Sequence, residues 1–262
     1  MRAGGGFDPS RRQGYRVDGV ESELLERQTR NLLKKVNQAI RDYGLIDADD
    51  RIAVAVSGGK DSLVLLRLLL AYRETQHRRL PLTAVHVVVE GASGSQEVAR
   101  AVEAHCRVLD VPFVARPLAL NADEAWPLTC QRCAWNRRKT LFALAGELGC
   151  NKVAMGHHAD DVAQTVLLNL LYQSRVQGIA PKRAFFDGRV AIIRPLVLLP
   201  EKQIALFARR AGYPLGRIDC PAAEDSARTF AADLLRQIEK KVPRVRASLR
   251  RAAEAAGGED ND

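Results

Sequence analysis

Apolar residues recur along the chain in two alternating patterns, one typical of helices and one typical of buried strands. Between Glu21 and Tyr43 they recur every three or four positions until Gly44, which predicts an amphipathic helix that ends there. The short apolar run Arg51–Val56 then leads through a Gly-rich turn into the apolar helical stretch Leu63–Tyr72. A buried strand followed directly by a helix is the repeating unit of α/β proteins.

The same strand–helix unit follows several more times. The further predicted strands are Leu82–Val89, Val111–Arg116 and Lys152–Met155, and the helices after them are Gln96–Leu109, Trp135–Leu148 and Asp161–Tyr172. Apolar strands separated by helices indicate a sheet that is buried on both faces. We therefore predict an α/β fold with a doubly wound, mostly parallel sheet.

The last third of the chain follows a different pattern. Asp187-Gly188, between Phe185 and Val190, predicts a β-hairpin because this pair suits the positive φ angles of a tight turn. Further helices are predicted at Pro200–Ala211, at Ser226–Lys241 and from Pro243 onward. The expected organisation is a flexible tail at 1–20, an α/β domain with its preceding helix at 21–215, a Cys-bearing loop with basic helices at 216–256, and a polar tail at 257–262.

Charge and cysteine content narrow the class of protein. The 262 residues include 40 Lys and Arg against 31 Asp and Glu, a formal net charge of +9. This excess favours a polyanionic partner, although a solvated basic surface would have the same composition. No apolar run reaches the ~18 residues of a membrane span, and the N-terminus lacks the apolar stretch of a secretory signal. Five cysteines, an odd number, argue against a disulfide framework, so we expect a cytoplasmic protein with no membrane partner.

The C-terminal region is the most basic part of the chain. Between Arg228 and Arg251, eight Lys or Arg stand against Asp233 and Glu239, a local net charge of +6. We expect nucleic-acid phosphates to bind here, with a solvated helix face as the alternative. The predicted contact residues are Lys240, Lys241, Arg244, Arg246, Arg250 and Arg251.

The segment Ser57-Gly58-Gly59-Lys60-Asp61-Ser62, here called the phosphate loop, lies between the first strand and its helix. Two glycines permit left-handed backbone angles that turn N–H groups toward an anion, and the following helix adds its N-terminal dipole. Lys60 supplies a positive charge, and the two serines supply hydroxyls. The alternative is an ordinary Gly-rich turn, which would not require this set of side chains.

Asp61 distinguishes this loop from a Walker A motif. A Walker A loop needs Gly where Val54 stands, and Ser or Thr where Asp61 follows the lysine. A carboxylate is unfavourable beside phosphates unless a divalent metal bridges them, so we infer Mg²⁺. The segment resembles instead the loop of the PP-loop ATP pyrophosphatases, which release pyrophosphate and transfer AMP to a substrate oxygen.

Cys130-Gln131-Arg132-Cys133 is expected in a loop before a helix, at the carboxyl edge of the sheet where parallel sheets bind ligands. With the distant Cys220, these thiolates could hold zinc together with a fourth ligand, or three irons of a four-iron cluster. A redox disulfide gives the same spacing. Cys106 and Cys150 lie on or beside predicted helices and are expected to be small core residues.

Two further groups of polar residues follow the cysteine pair. Asn136-Arg137-Arg138-Lys139 clusters cations at a predicted helix start, and Arg137 lies one helical turn after Cys133. The second group, Gly156–Gln164, opens the helix after the fourth strand. There Gly156 is expected to let the backbone approach a nucleotide, Asp161 is the better catalytic candidate, and Asp160 is either catalytic or an N-cap.

A zinc site at His157, His158 and the neighbouring carboxylates is a further alternative for this second group. Adjacent histidines cannot share one helix face, which argues against it.

These motifs together resemble the tRNA 2-thiocytidine synthetases, a group of PP-loop enzymes. The resemblance also includes Gln177-Gly178-Ile179-Ala180-Pro181-Lys182, Arg194-Pro195-Leu196, and Cys220 ahead of Ala232-Asp233-Leu234-Leu235-Arg236. It extends over roughly residues 30–250. Each motif alone is modest, but their order and spacing are specific.

The resemblance implies ATP with Mg²⁺, a [4Fe–4S] cluster held by Cys130, Cys133 and Cys220, and thiolation of cytidine 32 of a tRNA. It implies a nucleotide site at Ser57, Gly58, Gly59, Lys60, Asp61, Ser62, His86 and Gly156, with Asp61, Asp161 and Arg137 as catalytic residues. A sulfur donor, either a cysteine desulfurase or sulfide, is needed as a partner, and a homodimer is compatible with this expectation.

The sequence departs from the family pattern in three respects, and several other functions are alternatives to the one that the resemblance implies. The segment after Val89 is shorter than in the family, Cys220 stands alone where many members have a second C-x-x-C, and no terminal zinc-finger cysteines of the 2-thiouridine relatives are present. Those relatives also favour Lys where Arg137 stands. The rivals are a 2-thiouridine synthetase, a lysidine-type tRNA synthetase, a small-molecule synthetase on the same fold, and a non-enzymatic RNA-binding module with a metal centre.

Overall fold

The structure, a computed structural model, describes residues 19–76, 79–213 and 227–256, with side chains described from residue 23 onward. Of the predicted tail at 1–20, only residues 19 and 20 are among the described residues. The predicted tail at 257–262 and Cys220 lie outside them. The helices are α1 Gly19–Asp42, α2 Lys60–Thr75, α3 Ser95–Val108, α4 Cys130–Glu147, α5 Ala159–Gln173, α6 Glu201–Arg210, α7 Ala227–Glu239 and α8 Val245–Ala256. The strands are β1 Ile52–Ala55, β2 Leu82–Val88, β3 Phe113–Pro117, β4 Lys152–Ala154, β5 Lys182–Phe185 and β6 Val190–Ile193.

The strands form one six-stranded sheet in the order β3-β2-β1-β4-β6-β5. All neighbours are parallel except β5 and β6, which form the predicted hairpin. Asp187 and Gly188 at its turn have φ of 55° and 83°, as that hairpin requires. The predicted doubly wound, mostly parallel α/β fold is confirmed.

Successive residues of β1 face opposite sides of the sheet and enter two different cores. Ile52 and Val54 pack with α1, α2 and α6, whereas Ala53 packs with the apolar face of α4. Because both faces of this strand are buried, its sequence is apolar throughout, and this short apolar run predicts a strand. Among the described residues, no helix combines the length and the apolarity needed to span a membrane.

The sheet topology determines where a ligand can bind. The chain leaves β1 toward β2 on one side, while β4 lies on the other side of β1. The loops that follow β1 and β4 therefore diverge, and a crevice forms at the carboxyl ends of these two strands. The phosphate loop follows β1, and Gly156–Gln164 follows β4, so both groups of predicted residues meet at this point.

Candidate active site

The phosphate loop connects β1 to α2 and places the start of α2 at the crevice. Gly58 has a φ of +84°, the left-handed angle expected for it, and a Cβ there would lie 2.4 Å from Cγ1 of Val98. Gly59 instead has φ −78° and ψ 156°, an extended conformation that any residue adopts, and is the N-cap of α2. The prediction that both glycines take left-handed angles is therefore wrong for Gly59.

The serine side chains at the two ends of the loop bind each other. The Ser62 hydroxyl donates to the carbonyl of Gly59 at 2.8 Å and accepts from the Ser57 N–H at 3.1 Å. The Ser57 hydroxyl is 3.3 Å from the Ser62 hydroxyl. Ser62 is buried, so its hydroxyl stabilises the loop, while Ser57 lines the cavity beside it.

Lys60 lies between two carboxylates. Its Nζ is 2.9 Å from Oε1 of Glu201, at the start of α6, and 3.2 Å from Oδ2 of Asp61. Burial lowers the pKa of Lys60, but the hydrogen bond to Glu201 and the charge of Asp61 outweigh burial and raise the pKa overall. Lys60 is therefore held as a cation next to the loop. Glu201 was not predicted, because it is 141 positions away in the sequence.

Asp61 has an unsatisfied oxygen. Its Oδ1 is buried without a hydrogen-bond partner and lies 3.7 Å from Nε2 of His158. Burial raises the pKa of this carboxyl despite the charges of His158 and Lys60. Such an oxygen suits a divalent cation. No group of three or more His, Cys, Asp or Glu suited to a metal is found in the described part of the chain, which fits Mg²⁺ held by one or two carboxylates and by phosphate oxygens.

Gly156 permits a close contact, but with protein. A Cβ at this position would lie 3.1 Å from the backbone C of Asp61 and 3.1 Å from the backbone N of Ser62. Gly156 also lines the cavity. Its first effect is therefore to let the loop after β4 pack against the phosphate loop, rather than against a nucleotide as expected.

The two adjacent aspartates at the start of α5 have different environments. Oδ2 of Asp161 accepts from the N–H of His158 at 2.8 Å, and Asp161 lines the cavity. Asp160 is buried away from it: Oδ2 accepts from the N–H of Glu201 at 2.7 Å, and Oδ1 is 3.1 Å from Nη1 of Arg246. Asp160 therefore caps α6 and not its own helix, while Asp161 is the one placed for chemistry.

The three histidines near the site do not form a metal centre. Burial, followed by the charge of Arg194, lowers the pKa of His157 to about 4, so its Nδ1 accepts from Nε of Arg194 at 3.3 Å. His86 is 1% exposed and its Nδ1 donates to the carbonyl of Val56 at 2.7 Å. Among the described residues that line the cavity, His86 is absent. It supports the end of β1 below the phosphate loop, and its expected contact with the nucleotide stays a prediction.

The cysteine pair lies in a helix and not in the predicted loop. Thr129 accepts a hydrogen bond from the N–H of Arg132 and caps α4, which starts at Cys130 and so five residues earlier than predicted. Cys130 is exposed and Cys133 is buried. Residues three apart share a helix face, and a helix N-terminus stabilises thiolates. This donor pair therefore fits a metal centre, whose third expected ligand, Cys220, lies outside the described residues.

Glu124 holds the start of α4 against the preceding loop. Its Oε1 accepts from Nε of Arg132, between the two cysteines, at 2.6 Å, and its Oε2 accepts from Nδ2 of Asn136 at 2.9 Å. The backbone N–H of Asn121 also donates to this carboxylate. These contacts lower the pKa of Glu124, the backbone hydrogen bond from Asn121 most of all. The orientation of the cysteine pair thus depends on a residue that sequence reasoning missed.

Cys106 and Cys150 are core residues, as predicted. Both are buried within apolar clusters. Burial raises the pKa of Cys106 to about 11, so its thiol stays protonated and is a poor metal ligand.

A cavity of about 1040 Å³ joins these elements. It is lined by the phosphate loop, by Gly156 and Asp161, by the segment Gln177–Ala180, and by Arg137 and Arg138 of α4. Nε of Arg137 is buried without a hydrogen-bond partner. Three further arginines line it, Arg183, Arg194 and Arg228, and none was predicted as a site residue. They lie on separate elements, so only the fold reveals that they converge.

The C-terminal basic stretch forms α7 and α8, and two of its predicted RNA contacts are paired with carboxylates. Arg246 is 3.1 Å from Asp160 and 3.0 Å from Glu239, and only 20% of its side chain is exposed. Arg246 thus fastens α8 to the start of α5. Arg250 is likewise paired with Glu254. The remaining cations of the set, Lys240, Lys241, Arg244 and Arg251, stay predictions.

Comparisons with known proteins match this arrangement. The PP-loop domain family matches residues 24–215. The tRNA-cytidine(32) 2-sulfurtransferase of Anaeromyxobacter dehalogenans (strain 2CP-C) is 37% identical over 237 residues, which cover 87% of this chain and 79% of that protein. The enzyme of the same name from Syntrophotalea carbinolica is 37% identical over 233 residues, covering 86% of this chain and 88% of that protein.

A solved structure agrees in fold. The U34-tRNA thiolase NcsA from Methanococcus maripaludis, with its [4Fe-4S] cluster, superposes with a TM-score of 0.70 at 26% identity and covers 88% of this chain and 80% of that one. The chain belongs to the PP-loop family and, within it, to the tRNA-cytidine(32) 2-sulfurtransferase family of enzymes.

Proposed function

We propose that this protein uses ATP to activate the C2 oxygen of a cytidine, position 32 of a tRNA, and then replaces that oxygen with sulfur. The observation that carries the proposal is the cavity itself. It brings an anion-binding loop, a carboxylate with an unsatisfied oxygen and the cysteine-bearing helix α4 to one place. A cavity of about 1040 Å³ is large enough for a nucleotide and a base together.

The chemistry requires activation because a carbonyl oxygen is a poor leaving group. In the first step the C2 oxygen attacks the α-phosphorus of ATP, and pyrophosphate leaves. In the second step a sulfur nucleophile attacks C2, the C2–O bond breaks, and the oxygen departs with AMP. Backbone N–H groups of the phosphate loop and Lys60 bind the pyrophosphate portion, where negative charge develops as it leaves.

Asp61 and Asp161 have different roles in the first step. Mg²⁺, where bound, would neutralise phosphate charge. The unsatisfied Oδ1 of Asp61 is the protein oxygen best placed to hold it. Asp161 lines the same cavity and is fixed by the His158 N–H, so it orients the reacting groups.

The cysteines and Arg137 serve the second step. Cys130, Cys133 and Cys220 would hold a [4Fe–4S] cluster, which would supply a binding site for the sulfur species. Thr129 and Glu124 orient the two cysteines of α4. Arg137 lies one turn beyond Cys133 and lines the cavity, where its guanidinium stabilises anionic sulfur or the leaving AMP.

The choice of cytidine rests on the relatives. Both bases have a C2 carbonyl, so the chemistry alone would suit uridine. The named relatives at 37% identity act on cytidine 32, whereas the thiolase at 26% identity acts on U34. We propose that a cysteine desulfurase or sulfide supplies the sulfur, that the protein works in the cytoplasm, and that two copies form a homodimer.

The test is mass spectrometry of nucleosides from tRNA that has been incubated with the anaerobically purified protein, ATP, Mg²⁺ and sulfide. We expect 2-thiocytidine that depends on ATP. Finding 2-thiouridine instead would correct the target base and leave the mechanism unchanged. Finding no thiolated pyrimidine would overturn the proposal. The cysteine pair separates this proposal from a lysidine-type synthetase, which needs no cluster.

A further inference from the structure

Besides Arg137, four arginines contribute to the wall of the cavity. Arg138 comes from α4, Arg183 from β5, Arg194 from the segment after β6, and Arg228 from α7. Four elements distant in the sequence therefore bring guanidinium groups to one wall. Arg194 is buried and fixed, because its Nη1 donates to the carbonyl of Ala180 at 2.6 Å.

Only part of the charge on this wall is balanced by protein, because Asp161 acts on Arg194. Within residues 23–76, 79–213 and 227–256, ion pairs hold surface arginines such as Arg107 and Arg116, but none joins Arg138, Arg183 or Arg228 to a carboxylate. Burial, and then the charges of Arg138 and Arg183, lower the pKa of Arg194 to about 10. Converging guanidinium groups that repel each other in a concave site favour an anion between them.

The anion is not the triphosphate of ATP, because the phosphate loop already provides for that group. That loop holds Lys60 beside Asp61, and none of the four arginines belongs to it. A target base must be turned out of its stack to reach the nucleotide there, and it carries its flanking phosphodiester with it. A phosphodiester binds guanidinium groups through two parallel hydrogen bonds, which a flexible lysine does not offer.

We propose that Arg138 and Arg183 bind the phosphodiester that flanks the target nucleotide, with Arg194 below them as a fixed cation. Arg228 closes the same wall from α7. The inference rests on the proposed function for its choice of RNA. It places RNA recognition in the cavity itself, whereas the sequence had placed it on the C-terminal helices.

The experiment compares R138Q and R183Q with the control R107Q. Affinity for an RNA hairpin with the sequence of a tRNA anticodon arm is measured at several salt concentrations, and affinity for a non-hydrolysable ATP analogue is measured separately. Each cavity variant should bind the hairpin roughly tenfold more weakly, with a slope of log K against log salt reduced by about 0.7 to 0.9. Affinity for the nucleotide should stay unchanged. Arg107 is exposed on α3 and paired with Glu103, so R107Q should change neither affinity.

Two results would overturn the assignment. Weaker nucleotide binding in R138Q or R183Q would show that these arginines contact ATP. Unchanged affinity and salt slope for the hairpin would show that they bind no RNA phosphate. Failure of the proposed function is a separate result. The wild-type protein could make no 2-thiocytidine while R138Q and R183Q still lose affinity for the hairpin. That result would support the arginine site as an RNA-binding site and overturn the proposed thiolation.

Discussion

The phosphate loop and α4, the helix that bears the cysteine pair, both line one cavity, but the loop and the cysteine pair are held in different ways. The loop is fixed mainly by bonds within six residues, from Ser57 to Ser62. The cysteine pair depends on Thr129, on Glu124, and on an expected third ligand, Cys220, almost ninety positions away. The first region is organised by its own sequence, and the second by tertiary contacts and by a metal centre.

This difference implies that the two half-reactions are separable. A preorganised loop can bind nucleotide and support adenylylation whether or not the metal centre is present. A metal centre whose ligands come from distant segments is lost as a unit when one ligand is removed. Variants of the two regions should therefore fail at different steps, and that contrast can be measured.

The largest effect is expected for Asp61→Asn. This substitution keeps the shape of the side chain but removes the charge that holds Mg²⁺, so tRNA-dependent pyrophosphate release should fall by at least about a hundredfold. Thermal unfolding should change little, because Oδ1 makes no hydrogen bond within the protein and an amide oxygen can still accept from Nζ of Lys60 in place of Oδ2. Pyrophosphate release at the wild-type rate would remove Asp61 from the catalytic set.

Cys133→Ala should abolish thiolation and the retention of iron, while tRNA-dependent pyrophosphate release continues within a few-fold of the wild-type rate. Cys106→Ala is the matched control, since Cys106 is also buried but its thiol stays protonated. The control should keep its iron. Stoichiometric zinc without iron in the wild-type protein would contradict the cluster, and loss of pyrophosphate release in Cys133→Ala would contradict the separation of the two regions.

Glu124→Gln should weaken the metal centre without removing a ligand. The substitution places an amide opposite Asn136 and reduces the charge that orients Arg132, so iron should be lost to a chelator about ten times faster. Glu147→Gln is the control, because Glu147 pairs with Arg116 at the other end of the same helix. Equal rates of iron loss in the two variants would show that Glu124 does not support the cysteines.

Gly156→Ala should give the smallest effect, on the phosphate loop alone. The added Cβ meets backbone atoms of Asp61 and Ser62 at 3.1 Å, and backbone cannot move aside easily, so we expect about 1–3 kcal/mol of lost stability and weaker ATP binding. Gly146→Ala, with no atom within 4 Å and in a helix, should be neutral or stabilising. Chemical denaturation of both variants checks this, and equal stabilities would refute the close approach.

Much of the fold could be predicted because its signals are local. Short apolar strands, the helix after each of them and the Asp187-Gly188 turn are encoded in adjacent residues, and the structure confirms them. The start of α4 was misplaced, because Thr129 was not recognised as an N-cap. Helix propensity alone predicts α4 but not its first turn.

The site was less predictable where it depends on partners distant in sequence. Glu201 beside Lys60, and Arg246 on Asp160, follow from how α6 and α8 pack on the domain, which no local pattern describes. The same holds for Arg183 and Arg228 in the cavity wall. An isolated arginine in a sequence gives no sign of whether it will be paired, and pairing decides whether it can bind RNA.

The central claim, that the C2 oxygen is adenylylated before sulfur replaces it, can be tested by following that oxygen. An RNA substrate carrying oxygen-18 at C2 of the target cytidine is incubated with the protein, ATP, Mg²⁺ and a sulfur source, and the AMP is analysed by mass spectrometry. The account predicts AMP that contains the heavy oxygen, in the same amount as the thiolated base formed. Thiolated base accompanied by AMP without the label would contradict it, since the oxygen would then have left C2 by another route.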